Sequence, residues 1–144
     1  MSKLKNKIMG TWELVSYYRL DEDGEKIYPL GEDPKGFLIY TADGYMSAQL
    51  MKQGRINYSL EGLHNGTEQE MAEAAHGYHA YSGKYDIDEV DGSIYHHNEV
   101  SLIPNRLGDV QDRQIQFEED TISITSRTSS THIVWKKAEN NQQE

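Results

Sequence analysis

Tyr95, His97 and Glu99 stand at i, i+2 and i+4 of a β-patterned run from Ser93 to Leu102, so alternation puts them on one face of a strand. If that face lines a cavity, a histidine beside a carboxylate is a general acid or base near neutral pH. Arg113 alternates with Ile115 and Phe117 on an otherwise apolar stripe. A cation there must either pair with an inward carboxylate such as Glu99 or receive a ligand's carboxylate or carbonyl. In a catalytic reading His97 carries the proton, Glu99 orients it and Arg113 steadies negative charge on a substrate oxygen. The plainer reading has His97 bonding a neighbouring strand and Glu99 facing water, with Ile94, His96, Asn98 and Val100 on the opposite face.

A second set of residues suits ligand binding rather than chemistry. The run Tyr45–Met51 splits into a Tyr45, Ser47, Gln49, Met51 face and a Met46, Ala48, Leu50 face. A plain core buries the apolar set; a ligand-holding barrel turns the Tyr/Ser/Gln set inward, and we take that second assignment as the expectation. Tyr40, Tyr81, Tyr85 and Tyr95 lie on strands, and Tyr81 and Tyr85 share a face. Tyrosine is over-represented, ten against two Phe. It supplies apolar area with a hydrogen-bonding tip, which fits an aromatic ligand carrying an oxygen. The expected ligand-binding residues are therefore Tyr40, Tyr45, Ser47, Gln49, Tyr81, Tyr85, Tyr95, His97 and Arg113, with Arg127 a weaker rim candidate.

Other chemistries are excluded by what is absent. The chain has no cysteine, so disulfide scaffolds, thiolate zinc sites and cysteine nucleophiles drop out. His96 and His97 are adjacent and point to opposite faces, while His76 and His79 flank a glycine at a helix end, so a metal is not expected. No Gly-x-Ser-x-Gly elbow and no nucleotide-binding glycine pattern occurs, and no cofactor is expected. A net charge of −10 repels phosphate backbones and anionic lipid, making nucleic acid and membrane poor partners. The first eight residues carry charge without an apolar segment behind it, which reads as a cytoplasmic protein. A homodimer remains open.

The elements that must position these side chains are mostly short strands. Thr11–Arg19, Phe37–Thr41, Tyr45–Met51, Tyr78–Ile87, Ser93–Leu102, Val110–Phe117, Thr121–Arg127 and Thr131–Lys137 all read as β, most joined by Asp/Gly-type turns. Residues 3–9 suit one helical turn capping a barrel floor. Thr67 to His76 is the one substantial helix, with Thr67 as N-cap. Residues 52–66 have no clean period and, with that helix, are expected to form a lid over a barrel mouth. Residues 138–144 form a polar tail. One domain over residues 1–144, folded as a closed antiparallel up-and-down β-barrel of eight to ten strands, follows; a two-sheet sandwich is the alternative. Trp12 is expected at the floor near basic residues of the last strand or the N-terminal turn.

Several strings resemble the bacterial and fungal lipocalin-like domain family over nearly the whole chain. They are Gly10-Thr11-Trp12-Glu13-Leu14-Val15-Ser16, Tyr28-Pro29-Leu30-Gly31, and Gly36 to Ala48. Tyr81-Ser82-Gly83-Lys84-Tyr85, His96-His97 with Ser101 to Asn105, Arg113 and Val134-Trp135 continue the pattern. One departure is Ser126-Arg127-Thr128-Ser129-Ser130, where the pattern has a proline-containing segment. The resemblance implies a calycin-like β-barrel with a central cavity. Two functions follow as expectations: a module binding a small, largely apolar molecule inside the barrel, or a cofactor-free lyase, isomerase or cyclase using Tyr/His/Glu/Arg proton transfer in the same cavity. A third, blander option is a domain acting through its surface.

Overall fold

The structure, a computed structural model, describes residues 3–126 and 130–139. Arg127, most of the 126–130 departure and the end of the polar tail lie outside the described residues. The chain runs α1 (Lys3–Ile8), β1 (Gly10–Leu20), β2 (Lys26–Ile27), β3 (Lys35–Tyr40), β4 (Tyr45–Met51), α2 (Glu68–His76) and β5 (Tyr78–Asp88). It continues through β6 (Ser93–His97), β7 (Val100–Ser101), a 3-10 turn (Pro104–Arg106), β8 (Val110–Glu118), β9 (Thr121–Ser126) and β10 (Thr131–Lys137). Eight strands pair in the cyclic order β1-β3-β4-β5-β6-β8-β9-β10, and β10 returns to β1. Every pairing is antiparallel, so this is a closed barrel and not a sandwich. The short β2 and β7 add to the ends of β1 and β5.

The floor is closed by α1. Ile8 is fully buried, and Trp12 donates its indole N–H to the Ile8 carbonyl at 2.8 Å. Lys137, from the last strand, lies 4.7 Å from the Trp12 ring centre and donates to the Met9 carbonyl at 2.8 Å. Gly10 takes φ +115° there, a backbone conformation that favours glycine. Trp12 thus sits at the floor beside the basic last strand, as the sequence leads one to expect.

Alternation divides each strand into an inner and an outer row. On β4 the inner row is Met46, Ala48 and Leu50, each no more than 2% exposed. This corrects the expectation for that strand: Tyr45, Ser47 and Gln49 face outward. Burying a Leu or Met side chain is worth roughly 1.5–3 kcal/mol, and the inverse register would expose two of them. On β1 a bulge between Leu14 and Ser16 resets the alternation, which leaves Val15 outside and brings Tyr17 inside.

The lower half of the barrel is filled. Ile8, Trp12, Tyr40, Met46, Tyr85, Ile94, Ile122 and Trp135 are buried together, with Phe117 packed against them. The helix α2 adds nothing to this core, since none of its residues is buried. It forms where expected because Thr67 accepts from the Glu70 N–H while the Glu70 side chain accepts from the Thr67 N–H, a reciprocal cap.

Candidate functional site

Above the filled floor the barrel encloses a cavity of about 710 Å³ that opens at the end opposite α1. Its base is Leu38, Tyr81, His96, Ile124 and Trp135; Tyr17, Leu50, His79, Gln111, Arg113 and Ile133 form the wall. The mouth is rimmed by Ile103, Arg106, Asp109, Ser126 and Thr131, and Arg106 lies 3.6 Å from the Asp109 carboxylate.

Three consecutive strands supply the polar wall. From β5 comes Tyr81, from β6 His96 and from β8 Arg113 and Gln111. The register pairs Ile94 with Arg113 and His96 with Gln111, so all four side chains belong to the inner row. His96 is 1% exposed. The Tyr40 hydroxyl lies 2.7 Å from its Nε2 and the Tyr81 hydroxyl 3.4 Å from its Nδ1. Burial, reinforced by the Arg113 charge and by His97, pushes the His96 pKa down to about 3, so the ring is neutral at physiological pH. Burial lowers His79 as well, with Arg106 and Arg113 adding to the effect. It raises Tyr17 and Tyr81, against the pull of Arg113. One guanidinium therefore acts on every titratable ring of the cavity.

Among the described residues no carboxylate lies within 4 Å of Arg113. Of the two alternatives for Arg113, the strut to Glu99 is not formed. Glu99 instead bends back on the outer face and accepts from the Lys84 N–H at 2.8 Å. It does so at an irregularity between β6 and β7, where Gly83 packs so closely that a Cβ would fall 1.8 Å from the His97 carbonyl oxygen.

The remaining expectations for β6 are also corrected. His97 points away from the cavity and bonds Asp86 at 2.7 Å, with the two side chains 35% and 71% exposed. Tyr95 stands in register with Asp86 and Asp112 and does not line the cavity. The physical reason is again the apolar partner: Ile94 is fully buried, and its row takes His96 in with it. Outside the barrel, Ser47 bonds Ser82 at 2.7 Å and Gln49 accepts from the Tyr78 hydroxyl. Of the expected ligand-binding residues, Tyr81 and Arg113 line the cavity. Tyr40 and Tyr85 lie in the floor beneath it, edge-on to one another at 4.9 Å, and Tyr85 donates to the Thr41 carbonyl. Tyr45, Ser47, Gln49, Tyr95 and His97 lie outside.

Sequence reasoning missed His96, Tyr17, His79 and Gln111. Two of these were readable: His79 shares parity with Tyr81, and Gln111 shares parity with Arg113. His96 alternates with Ile94, a signal outweighed by the richer chemistry of the opposite row. Tyr17 depends on the β1 bulge. The lid expectation is corrected too. The 52–77 excursion leaves and rejoins at the mouth end, where the Lys52 N–H donates to the Gly77 carbonyl, yet none of its residues lines the cavity. Arg55 packs over the outward Tyr78 ring at 5.0 Å, which holds the segment to the outer wall.

Among the described residues, no group of three or more His, Asp or Glu side chains is placed to hold a metal. No helix there is long and apolar enough to cross a membrane.

Residues 9–144 match a protein-family profile described as a lipocalin-like domain. The chain is also similar to the 4'-hydroxy-3'-methoxypropiophenone carrier protein ppsC of Aspergillus oryzae. The two are 29% identical over 87 residues, covering 56% of this chain and 78% of that protein. A crystal structure of a DUF4847 family protein from Bacteroides vulgatus aligns with a TM-score of 0.48 at 12% identity, covering 94% of this chain and 99% of that one. A barrel of this kind fits ligand binding.

Proposed function

This chain belongs to the lipocalin-like domain family, and from that premise we propose that it binds and carries a small, largely apolar aromatic molecule in the upper half of its barrel. The observation that carries the reading is the open cavity of about 710 Å³, walled by Leu38, Leu50, Ile124, Ile133 and Trp135, with Tyr81, His96, Gln111 and Arg113 on the neighbouring strands β5, β6 and β8 and Tyr17 on β1. That volume and that mixture suit a drug-sized ligand. A relative named as a carrier of an aromatic ketone supports the same class of cargo. Binding is favoured over the proton-transfer alternative by the outward placement of His97 and Glu99, which pair with Asp86 and the Lys84 N–H.

Trp135 forms part of the cavity base, so a bound aromatic should quench its emission. Titrating a Trp12→Phe variant, in which Trp135 is the remaining tryptophan, with 4'-hydroxy-3'-methoxypropiophenone should give saturable quenching with a micromolar midpoint. A Leu50→Trp variant, which fills the upper cavity, should weaken binding at least tenfold by calorimetry. Absence of binding to the parent protein at millimolar ligand would refute the reading.

A further inference from the structure

We propose that the cavity selects ligands bearing an anionic oxygen, a carboxylate above all, held between the Arg113 guanidinium and the Tyr81 hydroxyl. The inference rests on the binding reading above and specifies its chemistry. The direction of the protons around His96 decides which groups the cavity can offer. A neutral imidazole has one donor nitrogen and one acceptor nitrogen, and both His96 nitrogens face tyrosine hydroxyls. If Nε2 carried the proton, it would donate to the Tyr40 oxygen. The Tyr40 O–H would then need another acceptor, and among the described residues its hydroxyl has no other partner. Tyr40 is 1% exposed, out of reach of bulk solvent, and an unmet buried donor is costly. The favoured chain therefore runs the other way: Tyr40 donates to Nε2, and Nδ1–H donates to the Tyr81 oxygen. Tyr81, at the cavity base, is left with its proton free to donate to whatever lies above it.

The neighbouring strand adds a second donor of the same sign. Arg113 brings a planar fork of N–H groups into the cavity, and its ion-pair capacity is unused among the described residues. The nearby carboxylates do not neutralise it. Asp109 is engaged by Arg106 at the mouth, and Asp112, which also borders the cavity, forms no ion pair with Arg113 among the described residues. A chain of net charge −10 thus encloses a pocket that sets a cation and a hydroxyl donor beside the neutral Tyr17, His79 and Gln111 side chains. An anionic oxygen completes both, accepting from the fork and from Tyr81 at once. A neutral group of the same shape could satisfy the hydroxyl but would leave the guanidinium's charge unmatched.

The test is a matched pair of probes, 2-naphthoate and 2-naphthamide, titrated calorimetrically at low salt. The parent protein should bind the carboxylate at least tenfold more tightly than the amide, and raising the salt to 0.5 M should weaken only the carboxylate. Arg113→Gln should bring the preference below threefold, and Tyr81→Phe should cost naphthoate three- to tenfold. Equal affinities in the parent protein, or tighter binding of the amide, would overturn the anion inference while leaving the binding reading intact. Binding of neither probe would overturn both. The salt response needs no variant, so it decides the matter even if Arg113→Gln does not fold.

Discussion

Lowering the pH from 7 to 5 should cost this fold about 2 kcal/mol through His96 alone. In the folded protein the group titrates near 3 because burial and the Arg113 charge oppose its protonation; in the unfolded chain it returns to about 6.5. A depressed histidine is neutral when folded and takes a proton when unfolded, so its contribution is complete above about pH 6.5 and is lost as the pH falls toward 3. At pH 5 the unfolded state has gained roughly 1.4 pK units of proton binding relative to pH 7. At about 1.36 kcal/mol per unit this is about 2 kcal/mol. The folded value lies well below pH 5, so the figure is insensitive to where it falls. Urea unfolding at half-unit intervals from pH 7.5 to 4.5, for the parent protein and His96→Gln, isolates the effect. The variant loses stability outright because the Tyr40–His96–Tyr81 chain is disturbed, but its pH slope should be shallower by the stated amount. His79 shifts in the same direction and cancels between the two proteins. Parallel stability curves would refute the argument, showing that His96 is protonated in the fold or reached by water.

Gly83→Ala should destabilise by at least about 2 kcal/mol, read by urea or thermal unfolding, because its Cβ would overlap the His97 carbonyl and backbone must move to admit it. His97→Ala removes only an outer, solvent-shared pair with Asp86; stability should change by less than about 1 kcal/mol, and ligand affinity by less than twofold. Trp12→Phe forfeits the indole bond to the Ile8 carbonyl and should cost about 1 kcal/mol, with faster amide exchange in α1 as the local signature.

How far the sequence announced all this depends on what kind of information each feature needs. Closure was legible because its partners are distinctive: the Gly10-Thr11-Trp12 opening and the Val134-Trp135 ending do meet, in a register that sets Leu14 against Trp135. The 37–51 hairpin and the 67–76 helix follow from local turn and cap chemistry, which tertiary context had no reason to override. Arg113 was placed on the inner row because Ile115 and Phe117 fix the parity of β8. On β4 and β6 the same rule, apolar side inward, was available through Met46, Leu50 and Ile94, and the pull of polar chemistry led away from it. The cavity occupies only part of the interior, so most inner positions obey ordinary core packing. The offsets in β1 and between β6 and β7 were not readable. They depend on contacts between strands distant in the chain, such as Gly83 against His97.

The seam between β1 and β10 has a kinetic consequence. It joins Trp12 to Lys137 and Arg19 to Thr131, strands separated by more than a hundred residues. Closing a flexible loop of that length costs about 4 kcal/mol of chain entropy, before any constant term, ahead of the first contact that rewards it. Until β10 arrives, β1 offers a bare row of backbone donors and acceptors along one side, next to unfinished apolar surface. Folding of this chain should therefore be slow for its size, and the interval before the seam zips is when two copies are most apt to exchange strands.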